Sequence, residues 1–332
     1  MKKRYQNGFF FIGLGILVLM VTQLDFAEVK EGVCRAGYWF LAVIALWAFL
    51  YLFNTAAWWI IIRTTPGQQA DEQGVPFAWL YKITVSGFAL NYATPGGLMG
   101  GEPYKIMSLS PKIGAARATS LVILHTMTHI FSHFWFWLLS CLLFVLTEPV
   151  NVFTGALLLG VTAFCFTAIW FFLKGYKKGI AHSILRILSH LPFVKKKAVA
   201  FIERHKDQLT TIDQQIAALH NQNPRTFVIA VGLELLCRVV SALEIFFILL
   251  VITPEASYVQ SILILAFTSL VANMLFFIPF QLGGREGGFL MSANGLQLSA
   301  SAGIFVALIV RLRELIWTGI GLLFIKMEKK PQ

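Results

Sequence analysis

The sequence predicts an all-α polytopic membrane protein, with about six full transmembrane helices plus two re-entrant hairpins broken by glycine and proline, arranged as an inverted repeat. Three observations carry that reading. The first is composition: 57% of the 332 residues are hydrophobic and 13% are charged, against about 25% charged in soluble domains. The second is the length of the apolar runs, several of which exceed the ~20 residues that cross a bilayer core. They show none of the ten-residue alternation of an outer-membrane barrel. The third is a pair of similar interruptions, Asn91 to Lys105 and Pro279 to Gly288. Each sets glycines, proline and opposite charges between apolar segments.

In chain order, a basic start, Met1-Lys2-Lys3-Arg4, precedes an apolar run over 8–24. No small-x-small cleavage pattern follows, so the run reads as a retained span with a cytoplasmic N-terminus. Residues 25–37 are expected to form a short external loop and 38–62 a second span, with Trp39, Trp58 and Trp59 at interfacial positions. A polar loop over 63–76 leads to 78–92, which is apolar but short and is stopped by Pro95-Gly96-Gly97. Residues 112–146 read as one long helix with Lys112 and Arg117 in its first turns, and 151–173 as another span. The segment 174–225 changes character: between Lys174 and Lys206 it holds nine Lys/Arg and one acid, Glu203. Within it 203–220 has an amphipathic stripe of Ile212, Ile216 and Leu219. The runs 227–252, 258–278 and 303–325 complete the apolar set.

The basic segment decides the topology. If 78–92 crossed the membrane alone, that segment would lie outside, against the positive-inside rule. If 78–110 instead enters and returns, the segment is cytoplasmic. The same count makes 258–298 a hairpin entered from outside and leaves the basic C-terminus inside. Repeat unit one is then 38–146 and unit two 227–325, with the same order of parts and opposite starting sides. All 332 residues form a single integral-membrane domain. Glycine/proline-broken segments in matching positions of inverted repeats point to a substrate site near the midplane.

The net charge of +11 fits loops facing anionic lipid rather than nucleic acid. Cys34, Cys141, Cys165 and Cys237 have no metal-ligand spacing and read as small apolar residues. No cofactor motif or activated-nucleophile motif is present.

The chemistry therefore concentrates in the hairpins. Gly96, Gly101, Gly283 and Gly284 let backbone turn and approach a ligand. Helix starts after such turns point N–H groups at an anion. Lys105 and Arg285 add positive charge suited to phosphate, and Glu102 and Glu286 can balance them or hold a proton or a cationic head group. Asn91 and Pro95 complete the first motif. Glu234 and Arg238, one turn apart, can pair, with Ser241 on their face and Glu244 on another, a set open both to an internal salt-bridge network and to a substrate path. Arg311, Arg313 and Glu314 lie mid-span in the last helix. His125, His129 and His133 recur on one helix face, a spacing open to hydrogen-bonded structure, proton handling or a metal. The hairpin glutamates are also open to a purely structural role, pairing with nearby Lys and Arg, although clustered charges in a membrane point first to function.

Asn91…Pro95…Gly101-Glu102…Lys105, Gly283-Gly284-Arg285-Glu286 and Arg311 together resemble the lysylphosphatidylglycerol synthase transmembrane-region family. That family includes the flippase part of the multiple peptide resistance factor and stand-alone YbhN-like proteins. The resemblance runs over nearly the whole chain, and its second motif is the more specific. It implies lipid translocation in the cytoplasmic membrane, with the phosphate head group of a membrane lipid as the partner. Two departures bear on the head group: Lys105 stands where the family more often has Arg, and His125 and Thr128–His129 stand where it often has Arg and Asp. No segment is long enough to hold the soluble aminoacyl-transferase domain, so synthase activity is not expected. A membrane enzyme or accessory protein acting on polyprenyl-phosphate or lipid-linked sugar, and a non-transporting scaffold, are the alternatives. The sequence assigns no oligomeric state.

Overall fold

The structure, a computed structural model, describes residues 26–64, 75–93, 100–178, 224–275 and 284–327, with scattered positions before residue 26. The described residues fold as ten helices and no strand. They are α1 (Phe26–Ala36), α2 (Tyr38–Thr64), α3 (Phe77–Ala93), α4 (Gly101–Ile113), α5 (Ala115–Thr147), α6 (Val152–Lys178), α7 (Pro224–Leu249), α8 (Tyr258–Met274), α9 (Gly284–Gly295) and α10 (Ala300–Met327). The expected amphipathic stripe at 203–220 and the first span at 8–24 lie outside the described residues or largely so.

Four helices, α2, α5, α6 and α7, are long and apolar enough to cross a membrane. At 1.5 Å per residue their lengths are about 40–50 Å, ample for a hydrocarbon core of about 30 Å. The 28 residues of α10 reach about 42 Å, but Arg311, Arg313 and Glu314 interrupt its apolar character. By contrast α3, α4, α8 and α9 have 17, 13, 17 and 12 residues, about 18–25 Å each. None of these four spans the core alone. α6 lies at the rim against α5, with Val152, Phe153, Leu159 and Trp170 exposed, the side-chain set that lipid tails cover.

Two expectations are corrected. Residues 25–37 are not a loop: Phe26–Ala36 is helical, and Gly37 at φ 54° supplies the turn into α2. Nor is 112–146 one helix, because Gly114 adopts φ 85° and separates α4, which carries Lys112, from α5. L-residues with a side chain adopt such φ values at a cost, so glycine is the residue that permits each break.

The short helices pair as antiparallel hairpins. A Cβ on Gly87 would meet Lys105, a Cβ on Gly101 would meet Gly87 and Asn91, and Lys112 lies 5.0 Å from the Trp79 ring. These contacts run in opposite directions along α3 and α4. Gly288 against Thr268 and Gly284 against Leu275 do the same for α8 and α9. A capping box at Ser257 and Gln260 starts α8, satisfying N–H groups at its end.

Packing follows one scheme in both halves. α2 packs on α3, α3 on α4 and α4 on α5; α7 packs on α8, α8 on α9 and α9 on α10. α2 and α7 pack on each other, α3 packs on α10, and α8 on α5. Glycine permits close helix crossings: at Gly321 a Cβ would lie 2.5 Å from Ala89 Cβ and 2.9 Å from the Val85 carbonyl. Helix α10 thus touches the first hairpin with its C-terminal half and, through Gly303 against Phe289 and Leu290, the second with its N-terminal half.

Candidate functional site

The two hairpins approach from opposite ends of the bundle, and Tyr92 of the first and Arg285 of the second lie near the charged middle of α10. Asn91 Oδ1 accepts the Gly101 N–H at 2.8 Å, tying the end of α3 to the start of α4. The missing Cβ at Gly101 is a steric requirement, since it would sit 2.2 Å from the Gly87 carbonyl oxygen. Tyr92, next in line, lies within electrostatic range of Arg285 and Arg313. From the other side, Arg285 forms an ion pair with Glu314, and Glu286 one with Arg311.

The expected balance of charges is therefore corrected in its partners. Lys105 pairs with Glu102 at 3.4 Å, but Arg285 takes Glu314 and Glu286 takes Arg311, both on α10. The reason is reach: successive residues on one helix point away from each other, whereas the antiparallel neighbour presents opposite charge at the same level. Arg313 sends Nε and Nη2 to the two oxygens of Glu244 on α7 at 2.7 and 2.9 Å, and its Nη1 is 3.9 Å from Glu314. Trp47 of α2 lies 3.7 Å from that guanidinium and donates Nε1–H to Glu244 at 2.9 Å. Arg285, Arg311 and Arg313 thus meet Glu244, Glu286 and Glu314, a balanced set. Charges this far inside a membrane protein are tolerated when paired in this way.

Exposure divides the set. Arg313 and Glu244 are 1% and 3% exposed, whereas Arg285 and Arg311 keep 21% and 22%. Lys105 is 3% exposed, its ammonium 5.1 Å from the Phe88 ring and 5.7 Å from Trp58. Of the cations gathered at the middle of α10, Arg285 and Arg311 are the accessible ones.

A second polar centre lies between α2, α5 and α7. Glu234 Oε2 accepts from Asn54 Nδ2 at 2.8 Å and contacts His129 Nδ1 at 2.8 Å, and Oε1 is 3.3 Å from His125 Nε2. The Glu234–Arg238 pair that the spacing allows does not form: Arg238 donates to Ser132 Oγ at 2.8 Å and to the His129 carbonyl at 2.9 Å. Its reach across to α5 leaves Glu234 to the histidines. Ser241 only bonds back to the Arg238 carbonyl. Trp58, expected at an interface, is fully buried and stacks on His125 at 5.5 Å.

Of the residues expected at the site, Asn91, Gly101, Glu102, Lys105, Gly284, Arg285, Glu286 and Arg311 are brought to the hairpins and their contacts on α10. Pro95, Gly96 and Gly283 lie outside the described residues. Trp47, Asn54, Phe88 and Tyr92 were not among the expected site residues. Asn54 had a signal, as an amide within the apolar run 38–62; the aromatics had none, since membrane helices carry many.

The four cysteines are free, and among the described residues no group of three His, Cys, Asp or Glu is arranged to hold a metal ion. Neither the curated proteins nor the solved structures include a match to this chain. A family profile does match, over residues 8–321, described as the lysylphosphatidylglycerol synthase TM region. The chain is a multi-pass membrane protein of the lysylphosphatidylglycerol synthase TM-region family.

Proposed function

We propose that the protein is a flippase-like transporter that moves a phosphate-headed lipid between the leaflets of the cytoplasmic membrane, and not an enzyme. The observation that carries this is the meeting of two short hairpins, entered from opposite ends, at the charged middle of α10. The like order of packing in 38–146 and 227–325 supports an inverted repeat, in which such a site exchanges its access between the two sides.

The chemistry fits a phosphate head. Arg285 pairs through one Nη and keeps a fifth of its side chain exposed, so its remaining N–H groups can fork onto phosphate oxygens. Arg311 stands beside it with similar exposure. Gly284 starts α9, and the N–H groups of that first turn favour an anion. Acyl tails stay in lipid while the head passes the hairpin tips.

The orientation follows the charge at the two ends. Arg63, Lys112, Arg117, Arg225 and Lys326 cluster at one end, where α2 and α10 finish and α7 begins. The positive-inside rule makes that end cytoplasmic, with the C-terminus. Leaflet exchange of fluorescent phospholipids in proteoliposomes tests the reading. Arg285→Ala and Glu102→Ala are expected to abolish exchange while eluting as folded protein. Wild-type rates equal to empty liposomes across a panel of anionic and zwitterionic lipids would remove the proposal.

A further inference from the structure

We infer that Glu234, His125 and His129 form a proton-binding site that loads a proton when an anionic head group enters, making lipid movement proton-coupled. This inference rests on the translocation reading above.

The geometry begins with what is unsatisfied. Glu234 is 1% exposed and His125 2%, yet Glu234 Oε1 and both ring nitrogens of His125 lack a hydrogen bond. The 3.3 Å between Oε1 and Nε2 is a separation that a shared proton closes. His129 holds the other oxygen at 2.8 Å. Buried polar atoms left unpaired are costly; neutral His125 can offer one N–H, and a further proton makes both of its ring nitrogens donors beside the Glu234 carboxylate. Histidine is the side chain whose ordinary titration falls near physiological pH.

The surroundings set the charge. On α7, Glu234 is accompanied by Arg238 and by the Cys237 thiol, which lies 3.9 Å from Asn54 Oδ1. On α5 the titratable neighbours are His125, His129 and His133, and α2 contributes the neutral Asn54 and Trp58. From the first hairpin come Phe88, 5.9 Å from His129, and Lys105, which stands over Trp58 and is balanced by Glu102. With neutral histidines, Glu234 offsets Arg238 and Glu102 offsets Lys105. A proton therefore adds an uncompensated buried positive charge.

That charge is costly in a low-dielectric interior unless an anion enters the same interior. Proton and anionic head group then favour each other's binding, and the coupling is reciprocal. A zwitterionic head brings no net charge and gains no such help. The path exists in outline: His133, partly exposed, is 5.5 Å from the His129 ring, and His129 is 26% exposed. Phe88 touches both Lys105 and His129, so movement of the first hairpin bears directly on the loaded site. One proton moving with one monoanionic head is electroneutral, so a pH gradient alone drives it.

The test uses the full chain in detergent, weakly buffered with a pH-indicating dye. Adding dihexanoyl phosphatidylglycerol at set points over about pH 5–8 is expected to produce proton uptake, and dihexanoyl phosphatidylcholine none. Glu234→Gln, which keeps an acceptor for Asn54, abolishes the uptake, and His129→Gln reduces it; should the first misfold, His125→Gln takes its place. No uptake by the wild type, or wild-type uptake in every folded variant, overturns the site. In proteoliposomes a pH gradient should accumulate labelled phosphatidylglycerol in one leaflet, roughly tenfold per pH unit at equilibrium. Exchange that ignores the gradient refutes the coupling and leaves translocation standing. Absence of any wild-type exchange removes translocation and the coupling together.

Discussion

Replacing Arg313 with methionine should be among the most damaging single changes in the bundle. The guanidinium and the Glu244 carboxylate share two hydrogen bonds of 2.7 and 2.9 Å and are 1% and 3% exposed. Unit charges about 4 Å apart attract by roughly 4 kcal/mol at an effective dielectric of about 20. Burial of both charges cancels most of that gain, so the pair adds little net stability. Removing one partner is different, because the desolvation cost of the other persists. In Arg313→Met, Glu244 keeps only the Trp47 N–H, and the loss should be about 3–5 kcal/mol. Adding Glu244→Gln removes the stranded charge while keeping an oxygen for Trp47. The double variant should therefore return to within about 1–2 kcal/mol of wild type. Unfolding in SDS mixed micelles, followed by tryptophan fluorescence, measures both. A single variant within about 1 kcal/mol of wild type, or a double variant no better than the single, would refute the argument that a stranded buried carboxylate dominates.

Other outcomes follow from the same contacts. Gly303→Ala would place Cβ 2.9 Å from the Leu290 Cα and the Phe289 carbonyl, backbone atoms that cannot step aside. It should cost about 1–3 kcal/mol, whereas Gly232→Ala, with nothing within 4 Å, should be neutral or stabilise by up to about 1 kcal/mol; equal effects in the SDS titration would contradict the packing. Gly101→Ala drives Cβ into the Gly87 carbonyl oxygen and Asn91 and should open the first hairpin, lowering both stability and lipid exchange; unchanged exchange would separate the hairpin tip from transport. In a cysteine-free background, Thr64→Cys and Lys112→Cys should react with an impermeant maleimide from the same side of the membrane, and Ser257→Cys and Gln297→Cys from the opposite side. Labelling of Thr64→Cys and Lys112→Cys from different sides would mean that α3 or α4 crosses alone.

The hairpins were legible because they depend on short-range chemistry. Pro95-Gly96-Gly97 ends an apolar run too short to span, whereas 258–278 is long enough to cross, so its return rests on the charge count that follows the basic segment over 174–206 and on Gly283-Gly284. The helix at 26–36 was hidden by its mixed composition: Lys30, Glu31 and Arg35 read as a loop, but they lie on a short amphipathic helix at the end of the bundle. The break at Gly114 had an overlooked signal, since Pro111 and Lys112 just before a glycine mark a helix end. The ion pairs were misjudged because local spacing is a poor guide once several helices compete. Glu234 and Arg238 have an ideal spacing for pairing along one helix, yet α5 offers Glu234 two imidazoles and offers Arg238 a hydroxyl and a carbonyl. No feature of a single sequence announces that α5 packs there.

The exchange of partners has a mechanical consequence. Had Arg285 paired with Glu286 and Arg311 with Glu314, each charge would be neutralised within its own helix, and α9 could slide on α10 at little electrostatic cost. Instead Arg285–Glu314 and Glu286–Arg311 tie the tip of the second hairpin to α10 twice, and Arg313–Glu244 ties α10 to α7. The first hairpin is held differently: Lys105 and Glu102 neutralise each other within α4, and α3 meets α10 through Gly321, Ala89 and the bond from Ser86 to the Gly321 carbonyl. The two hairpins are thus held unequally, the second by ion pairs and the first by close packing on α10. In the transport we propose, an anionic head group arriving at Arg285 and Arg311 would compete for the pairs that fasten the second hairpin, so that its binding and the release of that hairpin would be one electrostatic event. The first hairpin, touching His129 through Phe88, is placed to respond to protonation instead. On that proposal, two hairpins answering to two different ligands would give the scaffold separate handles for loading and for coupling.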